Sequence, residues 1–178
     1  APQKILYGLN DLLPASINIL KVDEAFPDFH ARHMAREKSY LYLLSRRRTA
    51  FGKRYVWWVK DDLDLRRMQS AAELFRGFHD FTSFADKRID KHLSTQVKID
   101  RVEILSREEL IVFRIVGSHF LWRMVRRLVG ILVETGRGTL SAADVARLLT
   151  SASDLPARCT APASGLFLAQ VLYEGDVL

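Results

Sequence analysis

Arginine and tyrosine, more than cysteine, histidine or serine, stand in this sequence where they could do chemistry. The stretch Phe120-Leu121-Trp122-Arg123-Met124-Val125-Arg126-Arg127-Leu128-Val129-Gly130 has a helical pattern. Phe120, Leu121, Met124, Val125, Leu128, Ile131 and Leu132 recur at helical spacing and form one broad apolar face. Arg123, Arg127 and Glu134 project from a second sector, which reads as the solvated side. Arg126 belongs to neither, because at about 100° per residue it falls among Trp122, Val129 and Val133. A guanidinium held against apolar surface stays charged and needs an anionic or carbonyl partner. Either Arg126 lays its stem over Trp122 and reaches water with its head, or it is a fixed arginine holding a catalytic carboxylate or a phosphate.

The second chemical feature is Lys38-Ser39-Tyr40-Leu41-Tyr42-Leu43-Leu44, whose content is that of a strand. Period two puts Lys38, Tyr40 and Tyr42 on one face and Ser39, Leu41 and Leu43 on the other. Both faces carry apolar bulk, which predicts an interior strand. Arg46, Arg47 and Arg48 follow directly, then Lys53 and Arg54. Basic loops beside aromatic strands resemble RNA-backbone contact surfaces, and a charge run is also an ordinary solvated face.

Several familiar chemistries are not spelled here. The five histidines, His30, His33, His79, His92 and His119, make no metal-ligand spacing with one another or with Cys159. No phosphate-cradling glycine loop, dinucleotide fingerprint or nucleophile elbow occurs. These absences argue against a nucleotide-dependent, metal-dependent or serine-hydrolase mechanism, and an enzyme built on this chain works with carboxylates, tyrosine and arginine.

The elements that must position these groups come from 178 residues, enough for a substantial core in one domain, with two small lobes also possible. Apolar residues at 48% and charged residues at 27% argue against disorder. The 27 Lys and Arg against 21 Asp and Glu favour a polyanionic partner. A lone cysteine excludes an internal disulfide, and no apolar run is long enough to span a bilayer. A cytoplasmic protein is expected. The chain begins at Ala1 and not Met, which is the expectation for a processed or truncated piece.

Along the chain, residues 7–14 carry breakers and turn formers, and Ile17, Ile19 and Leu20-Lys21-Val22 alternate as a strand would. Tyr55–Lys60 reads as a short extended piece. A helix is expected from Asp64, with Leu65, Met68, Ala72 and Phe75 on one face and Gly77 as its stop. Asp80-Phe81-Thr82-Ser83-Phe84 is an aromatic plug. Residues 96–104 and 109–116 form a hairpin, with a bulge near Asp100 where the apolar phase changes. The arginine helix stops near Gly136 or Gly138, Ser141 to Asp144 reads as a capping box, 151–164 as a loop and 165–173 as a final strand. This succession predicts an α+β fold, a largely antiparallel sheet with helices packed on it.

Five segments together resemble the TruA-type tRNA pseudouridine synthases: Phe29-His30-Ala31-Arg32; Lys38-Ser39-Tyr40-Leu41-Tyr42; Asp80-Phe81-Thr82-Ser83-Phe84; Phe120-Leu121 with Met124-Val125-Arg126-Arg127-Leu128-Val129-Gly130; and Ala161-Pro162-Ala163-Ser164-Gly165-Leu166-Phe167-Leu168. Their order and spacing fit across nearly the whole chain. The resemblance implies enzymes of two α/β lobes that form homodimers, grip tRNA and isomerise uridine to pseudouridine in the anticodon stem and loop. It implies no cofactor and no metal. It matches Tyr40 to the active-site tyrosine and Arg126 to the arginine that pairs with the catalytic aspartate. Arg32, Lys38, Arg46, Arg47, Arg48, Arg123 and Arg127 become candidate tRNA contacts.

In that family the nucleophilic aspartate lies in a Gly-Arg-Thr-Asp-type motif, which does not occur between Ala1 and Leu178. The resemblance therefore implies that residues 1–178 are the single C-terminal, larger part of a catalytic domain, unable to turn over alone. A noncatalytic RNA-binding module and a homo-oligomerisation domain with the same fold are the competing readings.

Overall fold

The computed structural model describes residues 1–86 and 94–176. The chain divides into two compact units, residues 1–34 and residues 35–178.

The first unit holds helix α1, Pro2–Leu12, where the sequence pattern had predicted turns. Pro at the start of a helix costs no hydrogen bond, because the first N–H groups have no partner in any case. Gly8 and Asn10 lie inside the helix. The side chain of Asn10 accepts from Ile19 N–H at 2.7 Å and donates to Ile19 O at 2.9 Å. That exchange ties down residues 17–22, which form no strand. The alternation there was too short to be distinguished from a loop held by a side-chain amide.

The second unit is a six-stranded sheet of the expected class, α+β and largely antiparallel. Its strands are β1 (Glu37–Ser45), β2 (Trp57–Trp58), β3 (Gly77–Asp80), β4 (Gln96–Arg107), β5 (Leu110–Gly117) and β6 (Leu166–Leu172). The order is β2-β1-β5-β4-β3, with β6 also on β1. As predicted, β1 is interior, paired with β5 along one edge and with β6 and β2 along the other. Among the described strands only β2 runs parallel to it. The hairpin β4–β5 shifts register between Ile99 and Arg101, so Asp100 is the extra residue of the bulge. The shift brings Val97, Ile99, Val102 and Ile104 all into the core.

Helices α2 (Leu65–Glu73) and α3 (Met124–Gly136) cover one face of the sheet, with α4 (Ala142–Thr150) beside α2 and the short α5 (Leu155–Arg158) against α3. Asp64 caps α2 by accepting from Arg66 and Arg67 N–H. Ser141 and Asp144 form the anticipated capping box of α4. Tyr42 and Leu44 from β1 meet Ile111, Phe113 and Ile115 from β5 and Leu128, Ile131 and Leu132 from α3 in a single core. Phe81 and Phe84 are fully buried beside Phe75, which is the aromatic plug read from the sequence. Strand β3 and helix α5 carry too few residues to show a period and were not anticipated.

Helix α3 departs from its sequence reading in two ways. It begins at Met124, with Arg123 at its N-cap in a left-handed conformation (φ 62°), so Phe120 to Trp122 lie ahead of the helix, and Met124 N–H donates to Leu121 O at 3.0 Å to close the turn between them. It is also buried on nearly every side, Arg127 included, whereas the charge pattern had placed Arg127 in solvent. No helix among the described residues is long and apolar enough to cross a membrane.

Candidate active site

Strand β1 fixes Tyr40 and Tyr42 on the same sheet face, opposite Ile115 and Phe113 of β5. The two tyrosines then diverge. Tyr42 is fully buried, its hydroxyl donates to Pro162 O at 2.8 Å, and its ring meets Trp57 edge-on. Burial holds its ionisation far above the ordinary tyrosine value, partly opposed by the positive charge of Arg126. Tyr42 is thus a structural tyrosine. Tyr40 is half-buried, packs edge-on against Phe120 with ring centroids 5.1 Å apart, and lines a cavity of about 260 Å³. Burial raises its pKa as well, so it faces the cavity as a neutral hydroxyl.

Arg126 lines the same cavity from the first turn of α3, together with Phe120, Leu121, Trp122 and Leu166. Its Nε donates to Ala161 O at 2.6 Å, while Ala161 N–H donates back to Arg126 O at 3.1 Å. This exchange needs the 159–161 segment to lie directly on the helix. Gly130 makes that possible, since a Cβ there would sit on top of the Cys159 carbonyl. Beyond Pro162, Gly165 takes φ 93°, and a side chain there would press on Leu43 O and Trp57 N. The Ala161–Leu168 motif is therefore a strap pinned at Arg126, Tyr42 and β1. Among the described residues no carboxylate pairs with Arg126.

Arg127 turns the other way. It is 5% exposed, donates to Ala85 O, and lies 3.5 Å from the carboxylate of Asp86, itself buried. Its Nε has no partner among the described residues. Burial lowers its pKa and Asp86 pulls it back. Arg123 reaches the same carboxylate at 3.7 Å while lining the Tyr40 cavity. A lone acid two residues beyond the plug gave no sequence signal for this bridge.

The remaining predicted residues are spread more widely. Lys38 lies on β1 beside His119, whose pKa falls through burial and through the Lys38 charge. Arg46, Arg47 and Arg48 are exposed after β1. Arg32 belongs to the first unit, where its N–H donates to His30 Nδ1 at 3.3 Å. Among the described residues no three His, Cys, Asp or Glu side chains gather as metal ligands. His92 lies outside the described residues.

The antiparallel sheet thus presents Tyr40 to a cavity that it shares with the strapped Arg126. Residues 71–174 match the family described as tRNA pseudouridine synthase. The chain is 39% identical over 175 residues to the tRNA pseudouridine synthase A of Geobacillus kaustophilus, covering 96% of this chain and 67% of that protein. It is 38% identical to that of Limosilactobacillus fermentum, over 96% of this chain and 67% of the relative, and 37% identical to that of Acetivibrio thermocellus, over 94% and 69%. The chain belongs to the tRNA pseudouridine synthase family, isomerases that act on tRNA. It spans about two thirds of the length of these relatives.

Proposed function

We propose that residues 1–178 form the C-terminal part of the catalytic domain of a pseudouridine synthase that acts on the anticodon stem and loop of tRNA. The observation that carries this reading is the shared cavity of Tyr40 and Arg126 in a chain of this family. Tyr40 lies against the target uracil, where its neutral hydroxyl can take part in proton transfer at the base. Arg126, with Nε occupied by Ala161 O, keeps its terminal nitrogens for a carboxylate. A guanidinium so placed favours the ionised form of that acid and orients it at the sugar or base.

The nucleophilic acid belongs to a Gly-Arg-Thr-Asp-type motif that the 178 residues do not contain. Alone, the chain binds tRNA and does not isomerise uridine. Arg32, Lys38, Arg46, Arg47, Arg48 and Arg123 contact phosphates, and Arg127 acts from behind by holding Asp86. The working assembly is a homodimer, and the reaction takes no cofactor or metal.

Incubating the purified chain with a tRNA transcript and analysing the nucleosides by mass spectrometry tests this. The expected result is tRNA retained on the protein with no pseudouridine. Pseudouridine in the digest would overturn the claim of inactivity, and failure to retain tRNA would overturn the substrate.

A further inference from the structure

Residues 45–60 contain no acidic side chain and six basic ones, Arg46, Arg47, Arg48, Lys53, Arg54 and Lys60. All six are exposed, and none joins an ion pair among the described residues. Elsewhere in the second unit exposed arginines commonly find an acid, as Arg36, Arg67, Arg76, Arg137 and Arg147 do. Aromatic rings are set among these cations. Phe51 is 100% exposed at the tip of a turn, Tyr55 is exposed and stacks on Phe167, and Trp58 is 40% exposed with the Arg48 guanidinium 5.7 Å from its ring centroid.

The loop carrying these rings is built rather than loose. Ser45 Oγ donates to Arg47 O at 2.6 Å, Thr49 Oγ1 accepts from Gly52 N–H at 3.3 Å, and Tyr55 N–H donates to Gly52 O at 2.9 Å. Between this loop and β2 runs a groove of about 290 Å³, lined by Arg48, Thr49, Lys53, Val56, Trp57, Trp58 and Ser164. Ser164 belongs to the strap that carries Leu166 to the Tyr40 cavity, so groove and cavity are neighbours on one segment.

We propose that this groove is a second RNA subsite, taking an unpaired nucleotide outside the reaction cavity. Its base lies on the Trp58 indole with Arg48, its flanking phosphates meet Arg46, Arg47 and Lys53, and Phe51 offers a platform for the neighbouring base. Unpaired cations supply the sequence-independent attraction to phosphate. Exposed aromatic faces add stacking that only single-stranded nucleic acid can use, because duplex bases are already stacked. A second copy of this chain fits poorly, since like patches meeting about a two-fold axis bring like charges together. The proposal rests on the tRNA-binding reading above and specifies where beyond Tyr40 the RNA runs.

The test titrates the chain with hexauridylate and with an A-form RNA duplex of equal length, following tryptophan emission and filter retention. Hexauridylate is expected to quench emission and to bind more tightly than the duplex. Phe51→Ala and Trp58→Ala each weaken it about tenfold, and Trp58→Phe restores most of the loss. Arg48→Gln lowers the salt dependence of log affinity by about one unit. Phe51 is fully exposed, so its variant reports binding without a folding defect. Unchanged hexauridylate affinity in both alanine variants, with tRNA binding still dependent on Arg126, overturns the subsite and leaves the Tyr40 reading standing. Self-association lost in Phe51→Ala with RNA affinity unchanged also overturns it, and assigns the patch to a protein contact. No retention of any RNA overturns both readings together.

Discussion

Arg126 and Ala161 hold each other twice, through the Arg126 side chain on the Ala161 carbonyl and the Ala161 amide on the Arg126 carbonyl. The double tie converts a long flexible side chain into a fixed one at the edge of the Tyr40 cavity. It also explains why a glycine stands one helical turn later. A methyl group at Gly130 would drive the strap off the helix.

Gly130→Ala should therefore cost stability and site geometry together. Overpacking of this kind costs about 1–3 kcal/mol, readable as a lower urea midpoint. tRNA affinity should fall with it, because Arg126 loses its anchor. A variant as stable as the parent would show that the strap can shift without loss.

Asp86 should prove indispensable to the plug. Removing its charge leaves Arg127 buried without its counterion, a loss on the order of 3 kcal/mol. Asp86→Asn should lower the unfolding midpoint sharply, and adding Arg127→Met should recover part of the loss. If Asp86→Asn unfolds like the parent, the ion pair is incidental.

The buried tyrosines set an alkaline limit. Tyr40 and Tyr42 have folded pKa values raised above the ordinary value near 10. The stability they contribute is complete below the unfolded value and is lost as pH rises above it toward the folded values. Chemical denaturation should show stability level near neutrality and falling above about pH 10. Tyr42→Phe should flatten that fall and cost about 1 kcal/mol at neutral pH through the lost bond to Pro162. An alkaline limb of equal slope in this variant would assign the loss to other groups.

Arg126 should matter for binding beyond its charge. Arg126→Lys keeps the charge but cannot bridge Ala161 and a second acceptor with one rigid fork. Its tRNA affinity should drop about tenfold, as for a lost charge-assisted hydrogen bond, with CD spectrum unchanged. Full affinity in the lysine variant would reduce Arg126 to a point charge.

How much of this was legible in the sequence follows from period and length. Strand β1 alternates over enough residues to fix its faces, so period two alone puts Tyr40 and Tyr42 on the shared face that they occupy. The Asp100 bulge was visible as a phase change, and the box of α4 as a local motif. Arg126 stood out because it broke the pattern of its helix. Arg127 did not, since a charge at the expected polar position looks solvated until a distant acid is brought to it, and Asp86 gave no local sign. Helix α1 was missed because Gly8 and Asn10 read as breakers, while the tie from Asn10 to Ile19 depends on a fold-back that no period encodes. The link from Arg126 to Ala161 spans 35 residues and was equally out of reach.

The most direct measurement of the central claim is photo-cross-linking with tRNA transcripts carrying 4-thiouridine at single positions of the anticodon arm or of the acceptor stem. Peptides mapped after digestion should join an anticodon-arm position to the segment around Tyr40 or to 120–126, and the cross-link should vanish in Arg126→Ala. Cross-links to those segments from the acceptor stem alone, or none that depend on Arg126, would contradict a uridine site built from Tyr40 and Arg126.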